Sequence, residues 1–484
     1  MTIATCESRL LSGNLARMGL LDPNAVKTAA EVIASTKDSR LETVRILFAD
    51  PHGLLRGKTL AIDALESVFR SGMTVPSTLL LKDTSNRTVF PVWSGEAGPL
   101  NGAGDVLLVP DPTTFQRLPW AHHSAWMFCD VIFKSGAEIP FAPRTILKNA
   151  VRALAEKGYA LNVGLEVEFH VFQVDEERLR HSDAGLPGAP PATRLLAQGY
   201  QFLSETLYDR LEPVMDELRR HCQALGLPLR STEVEMGPSQ FEFTFDPDSP
   251  LAHADNMMRF RALVKEVCAR RGLHATFMCR PRVENCAASG WHLHQSLTDV
   301  ASGRNLFIPD VDNVPTALAS HWIAGLLAHA EESCILTTPT VNGYKRYQPF
   351  QLAPDRIQWG LDNRGAMIRG LLNAGDTASR IENRVAETTA NPYYFFASQI
   401  LSGLSGIEDE LCAPAPSENP YASDAKALPP SMIAAIEAFE SGSLYKKRLG
   451  EGFVSYISTL KRAEWLRYLR TVSEWEHDEY FSMY

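Results

Sequence analysis

Apolar and polar residues alternate strictly in several short segments of this chain, and elsewhere apolar residues recur at helical spacing. In GLEVEFHVF, Leu165, Val167, Phe169 and Val171 fall on one side, and Glu166, Glu168 and His170 on the other. STEVEMGPSQFEFTF repeats the pattern twice. Glu233 and Glu235 share a face, then Gln240, Glu242 and Thr244 do, with Phe241, Phe243 and Phe245 opposite. SGWHLHQSL groups His292, His294 and Ser296, and SRIENRV groups Arg380, Glu382 and Arg384. Each segment predicts a strand with one face on a core. PRTILKNAVRALAEKG (143–158) predicts an amphipathic helix, with Pro143 near its start and Gly158 after its end. Further helices are expected over 205–226, 251–271 and 316–333, and from Pro430 to the end. Loops are expected over 181–199 and 412–430, which are rich in proline. Nearer the start, 1–40 reads as helical. TVRILFADPHGLLRGKTL then reads as strand, turn, strand, with the turn at Asp50-Pro51-His52-Gly53, and GDVLLVPDP reads as a further strand. These textures divide the chain into a helical extension (1–40), a small strand-rich domain (41–140) and a large domain (141–484) in which strands alternate with long helices. No repeat suggests a solenoid.

One E-x-E or H-x-H segment alone would be an ordinary solvated face. Several strands that present five glutamates, a histidine and flanking arginines are another matter. Converging carboxylates cannot all stay ionised without compensation. Two divalent cations and neighbouring arginines would supply it, and oxygen ligands with one imidazole suit Mg²⁺ or Mn²⁺. Such ions beside Arg346, Arg364, Arg369, Arg380 and Arg384 are equipment for phosphoryl transfer. No Walker A loop and no kinase glycine-rich loop is present, so a nucleotide would be held by metals and side chains.

Composition narrows the classes. The chain has 484 residues, 45% hydrophobic and 21% charged, with a net charge of -10. That is a globular composition, and the acidic balance argues against nucleic acid or an anionic membrane as partner. No segment approaches the roughly 20 apolar residues that span a bilayer, and MTIATCESRLLSG has no secretory pattern. The eight cysteines form no CxxC pair and read as reduced thiols of a cytoplasmic protein.

GLEVEF, EMGPSQFE, TFMCRP, SGWHLHQSL, VNGYKRY, NRGAMIR, SRIENR and NPYYF occur in the order and spacing seen in glutamine synthetases. The resemblance runs from about residue 40 to the end. FADPHGLLRGK resembles the small β-grasp domain of that family. The implied fold is α+β, a β-grasp domain followed by a catalytic domain with a curved, mainly antiparallel sheet and surrounding helices. The implied activity is an ATP-dependent carbon–nitrogen ligation. By resemblance, Glu168, Glu235 and Glu242 would hold one metal, and Glu166, His292 and Glu382 a second. His294, Ser296, Arg369 and Arg380 would contact ATP. Arg364 would stabilise the transferring phosphoryl group, and Arg346 and Arg384 would grip glutamate. Asp50 matches an aspartate that reaches a neighbouring subunit's site. The family also implies a homo-oligomeric double ring, usually a dodecamer, with sites between subunits.

The departures from the family concern the amine. Ammonia-using members carry P-G-x-E-A-P after the YKR motif, and its glutamate helps to bind and deprotonate ammonium. Here the segment is Pro349-Phe350-Gln351-Leu352-Ala353-Pro354, with Leu352 at the glutamate position. Leucine accepts no proton and attracts no cation, but packs against hydrocarbon or a ring. Ala287-Ala288 replaces the family's Asn-Gly, whose asparagine helps to hold the amino-acid substrate. Trp291 replaces a methionine and reads as core packing. The expectation is a γ-glutamylamide synthetase using an aromatic or alkyl amine, with γ-glutamylanilide synthesis its sharpest form. The alternatives are a glutamine synthetase using ammonia, a glutamate–polyamine ligase, and a non-catalytic ring scaffold of the same fold. A scaffold has no need of clustered carboxylates, which destabilise a fold when unpaired.

Overall fold

A computed structural model describes residues 2–37, 40–93, 98–176, 178–348 and 352–484. The fold is α+β. Three helices, Ile3–Leu11, Asn14–Arg17 and Pro23–Thr36, precede the first strand. A six-stranded sheet follows, from β1 (Thr43–Ala49), β2 (Leu55–Ala61), β3 (Met73–Pro76), β4 (Asp105–Pro110), β5 (Gln116–Arg117) and β6 (Ser124–Phe133). Its order is β2-β1-β6-β4-β3, with β5 also on β6 and only β1–β6 parallel. Val44, Ile46 and Phe48 of β1 are buried on one face. The turn after β1 is made by Asp50, whose Oδ1 accepts the amides of His52 (2.9 Å) and Leu54 (3.0 Å). Gly53 follows at φ +71°, a conformation glycine adopts without penalty.

The second sheet has nine strands: β7 (Tyr159–Val174), β8 (Thr193–Leu195), β9 (Leu229–Val234), β10 (Gln240–Asp248), β11 (Leu273–Thr276), β12 (Trp291–Asp299), β13 (Trp359–Leu361), β14 (Ile368–Leu371) and β15 (Arg380–Asn383). The order β13-β14-β15-β12-β7-β10-β9 is antiparallel throughout except at β13–β14, and β8 and β11 also pair with β7. The apolar face of β7 and β10 lies on an aromatic cluster. Phe169 stacks on Phe241 (5.6 Å) and Phe277 (5.2 Å), and meets Phe243 (5.4 Å) and Phe260 (5.6 Å) edge-on. Phe260 comes from the helix Pro250–Arg270. Trp291 is a core residue, as its pattern predicts, packed against Phe395 and Phe396 of the helix Pro392–Glu408.

Some local expectations change. The helix expected over 316–333 is two helices, Ala317–Ala328 and Ala330–Thr337. They break at His329, whose ring bonds to Glu332 Oε1 (2.6 Å) and Ser405 Oγ (3.1 Å). The loop expected over 181–199 contains the short β8. No helix among the described residues is long and apolar enough to cross a membrane.

Candidate active site

Strand register assembles the polar face. Across β12 and β7, His292 pairs with Glu166, and His294 with Gly164. Glu242 of β10 pairs with Glu168 on one side and Glu233 of β9 on the other. Glu382 of β15 pairs with His294 and with Arg369 of β14. Directly opposed side chains in a sheet are close neighbours on one face, so residues from six strands become one cluster. Glu235 lies just past the end of β9 and Arg384 just past β15.

The two histidines have different jobs. Arg380 Nε donates to His294 Nδ1 at 3.0 Å. An arginine only donates, so the neutral His294 ring carries its proton on Nε2, which donates to Glu166 Oε1 at 2.7 Å. His294 therefore presents a donor. His292 Nδ1 lies 3.1 Å from Glu166 Oε2 and 3.5 Å from Arg384 Nη1, and its Nε2 lies 3.8 Å from Glu168 Oε1. Burial, followed by Arg384, pushes His292 down to about 4, so it is neutral and free to ligate.

The carboxylates divide as well. Burial opposes ionisation of Glu382, but the Arg384 charge outweighs it and holds Glu382 below the usual range. It is completely buried, bonded to Arg384 and to Arg369 Nη1 (3.1 Å). Arg369 is braced in turn by Asp362 (Nε–Oδ1 3.0 Å). Burial likewise opposes Glu166, and the bonds from both histidines override it and hold it well below the usual range. Glu168 goes the other way, pushed up to about 8 by burial and then by Glu235. Glu242 is raised by burial and by Glu168, Glu166, Glu235 and Glu233, and Glu235 is raised by burial first.

This donor set fits divalent cations. Glu166, Glu242 and His292 bring ligand atoms within 4.8 Å of one another, as do Glu166, His294 and Glu382. In the second group the proton on His294 Nε2 leaves the carboxylates as the free ligands. The acids raised by mutual repulsion are those that a cation would stabilise in ionised form.

Supporting residues without an assigned role in the sequence reading also appear. Glu168 Oε2 accepts from Gln240 Nε2 (2.9 Å) and the Gly290 amide (3.1 Å). Gln240 Nε2 also reaches Ser289 Oγ (3.1 Å). Gly290 is needed sterically, because a Cβ there would sit 2.4 Å from Arg346 Nη2 and 3.0 Å from His292 Nε2. His170, on the same strand face as Glu166, is fully buried and pairs across the sheet with Gln240. It contacts Ser289 Oγ (3.2 Å) and Cys286 Sγ (3.5 Å), and burial pushes it down to about 3. The Ser-Gly before Trp291 was the available signal, but only the fold shows what it supports.

The remaining predicted residues are placed as follows. Arg346 is buried, its Nη1 donating to the carbonyls of Arg384 and Val385 (2.9 Å each). Ser296 is buried on β12, two residues beyond His294 on the same face. Arg364 is exposed on the turn between β13 and β14. Asp50 is 1% exposed, its Oδ2 2.9 Å from Arg56 Nε, and among the described residues no hydrogen bond joins its side chain to the carboxylate cluster. Leu352 is 51% exposed; Pro349, Phe350 and Gln351 lie outside the described residues.

A strand-borne carboxylate and histidine cluster flanked by arginines is suited to metal-assisted phosphoryl chemistry, and comparison with known proteins shows the family. The glutamine synthetase catalytic domain model matches residues 140–480, and the chain belongs to the glutamine synthetase family. It is 39% identical to the gamma-glutamylanilide synthase of an Acinetobacter species, over 94% of this chain and 96% of that one. It is 32% identical to the gamma-glutamylethanolamide synthetase of Streptomyces coelicolor, over 90% of this chain and 92% of that one. A solved structure described as apo GmaS without ligand superposes with a TM-score of 0.79 at 28% identity, covering 93% of this chain and 99% of that one. The family is ATP-dependent and uses divalent metals and small-molecule substrates.

Proposed function

We propose that this chain is an ATP-dependent γ-glutamylamide synthetase that joins glutamate to an aromatic or alkyl amine. The observation that carries the reading is the convergence of Glu166, Glu168, Glu235, Glu242, His292 and Glu382 on one sheet face. In it, Glu168, Glu235 and Glu242 hold one Mg²⁺ or Mn²⁺, and Glu166, His292 and Glu382 a second. When bound, these ions neutralise phosphate charge and orient ATP. His294, Ser296, Arg369 and Arg380 hold the nucleotide, with the Nε2 proton of His294 offered as a donor. Arg346 and Arg384 bind glutamate.

The γ-carboxylate of glutamate attacks the γ-phosphorus of ATP, and the bond to the bridging oxygen breaks to release ADP. Arg364 stabilises charge on the transferring phosphoryl group. The amine nitrogen then attacks the acyl carbon of γ-glutamyl phosphate. Phosphate leaves with its C–O electron pair, and the amine loses a proton. An aromatic amine is neutral at pH 7, so attack does not require a strong base, and Leu352 offers it an apolar contact. Asp50 acts in the site of a neighbouring copy within a dodecameric double ring, and the enzyme works in the cytoplasm. The domain boundary falls at residue 141, between the two sheets.

Phosphate release from ATP with glutamate and Mg²⁺ or Mn²⁺, measured across ammonia, isopropylamine, aniline and putrescine, tests this. Turnover with aniline or isopropylamine is expected to exceed that with ammonia. Ammonia as the best substrate would remove the role given to Leu352, and putrescine as the best would favour a polyamine ligase.

A further inference from the structure

A cavity of about 650 Å³ lies between the N-terminal sheet region and the catalytic region, and no carboxylate lines it. One wall is the loop Pro51–Arg56; the other includes Met258, Arg261 and Lys265 of the helix Pro250–Arg270, with Phe277, Ile335 and Ile457. None of the metal, ATP or glutamate residues named above lines it.

Its charge is the opposite of the chain's. The chain carries -10, yet the lining includes Arg56, Arg261, Lys265 and Lys461 and no aspartate or glutamate. Arg56 is paired with Asp50 (2.9 Å), and Lys461 with Glu464 (3.2 Å). Arg261 and Lys265 pair with no carboxylate among the described residues. Arg261 is held instead by backbone carbonyls, with Nη2 donating to Thr388 and to Ala390 (2.7 Å), while its guanidinium lies over Phe277 and Trp291. Burial pushes it down to about 9, with Glu387 acting in the other direction. Lys265 stands at the exposed rim. A desolvated cation without a counter-ion is costly, and an apolar chamber with a few convergent polar groups is the usual form of a small-molecule site.

We infer that this cavity binds a small organic anion, a single carboxylate or phosphate group carried on an apolar body. The anion sits toward Arg261 and Lys265, and the body lies against Met258, Phe277, Ile335 and Ile457. The site adjoins the loop that carries Asp50, which Asn391 Nδ2 clamps through the carbonyls of Asp50 (3.1 Å) and Pro51 (3.2 Å).

Titration calorimetry on the full-length protein tests this, with benzoate and phenyl phosphate as anionic probes and benzamide as the neutral control. Runs with and without Mg-ADP and glutamate separate the cavity from the ligase site, and because binding is read directly the result does not depend on turnover. The expected result is one site per chain for benzoate or phenyl phosphate in both conditions, with benzamide at least roughly tenfold weaker. The better of the two anions identifies the headgroup. Lys265→Met is expected to weaken binding by about tenfold, and Ala262→Phe, which fills the cavity, to abolish it. Binding that benzamide matches, that Mg-ADP and glutamate displace, or that both variants leave unchanged would overturn the inference. So would no binding of either anion.

Discussion

The polar face of the large sheet has two ends built from the same residue type in opposite electrostatic states. At the β15 end, Glu382 is fully buried yet ionised, because Arg384 and Arg369 bond it directly. At the β10 end, Glu168 and Glu242 are nearly as buried, but burial and their carboxylate neighbours drive both toward the neutral form. One end carries its own counter-charge; the other leaves it to a ligand. A buried carboxylate is thus a structural ion pair or a metal site according to what faces it across the strands, and register decides which.

The comparison can be broken at either end. Glu242→Gln should have the largest effect on activity, lowering phosphate release on the order of a thousandfold. The same change should stabilise the metal-free protein by about 1 kcal/mol, since glutamine is neutral without the proton that the buried Glu242 carboxyl must take up on folding. Opposite signs in turnover and in urea unfolding are the expected signature. Arg384→Met should do the reverse to stability. It leaves Glu382 buried with one counter-charge fewer, at a cost of about 3–5 kcal/mol in urea unfolding. A loss below about 1 kcal/mol would mean that Arg369 alone suffices.

A smaller effect follows from pH. In the metal-free fold the Glu168 carboxyl sits at about 8 against an ordinary 4.5. Between those values it is protonated when folded and ionised when unfolded. The unfolded chain binds fewer protons there, so this group's contribution to stability falls as pH rises through the window. Glu166 and Glu382 are shifted down, and their contribution is lost only below the ordinary range. Thermal melts should therefore show Mg²⁺ raising Tm more at pH 8 than at pH 5.5. An equal shift at both would mean that the raised acids do not meet the ion.

Much of this was legible in the sequence, for a simple reason. A period of two places Glu166 and Glu168 opposite Leu165 and Val167 wherever the strand lies. Pairing was less accessible. Nothing local says that Glu242 faces Glu168, or that Glu382 faces His294 across one strand and Arg369 across the other. His170 shares the strand period of the two glutamates, yet both its ring nitrogens are engaged by Ser289 and Cys286. The proton position on His294 depends on Arg380, 86 residues away in the chain. The cationic cavity joins a loop at 51–56 to a helix beyond 250, and no pattern along the chain announces it.

The most direct test of the two-ended site is a count of bound Mn²⁺. Electron paramagnetic resonance on metal-stripped protein titrated with Mn²⁺ near neutral pH is predicted to show two ions per chain, and fewer in Glu242→Gln. No bound Mn²⁺, or a Glu242→Gln variant that binds Mn²⁺ as the parent does, would contradict the assignment of the β10 end as a metal site.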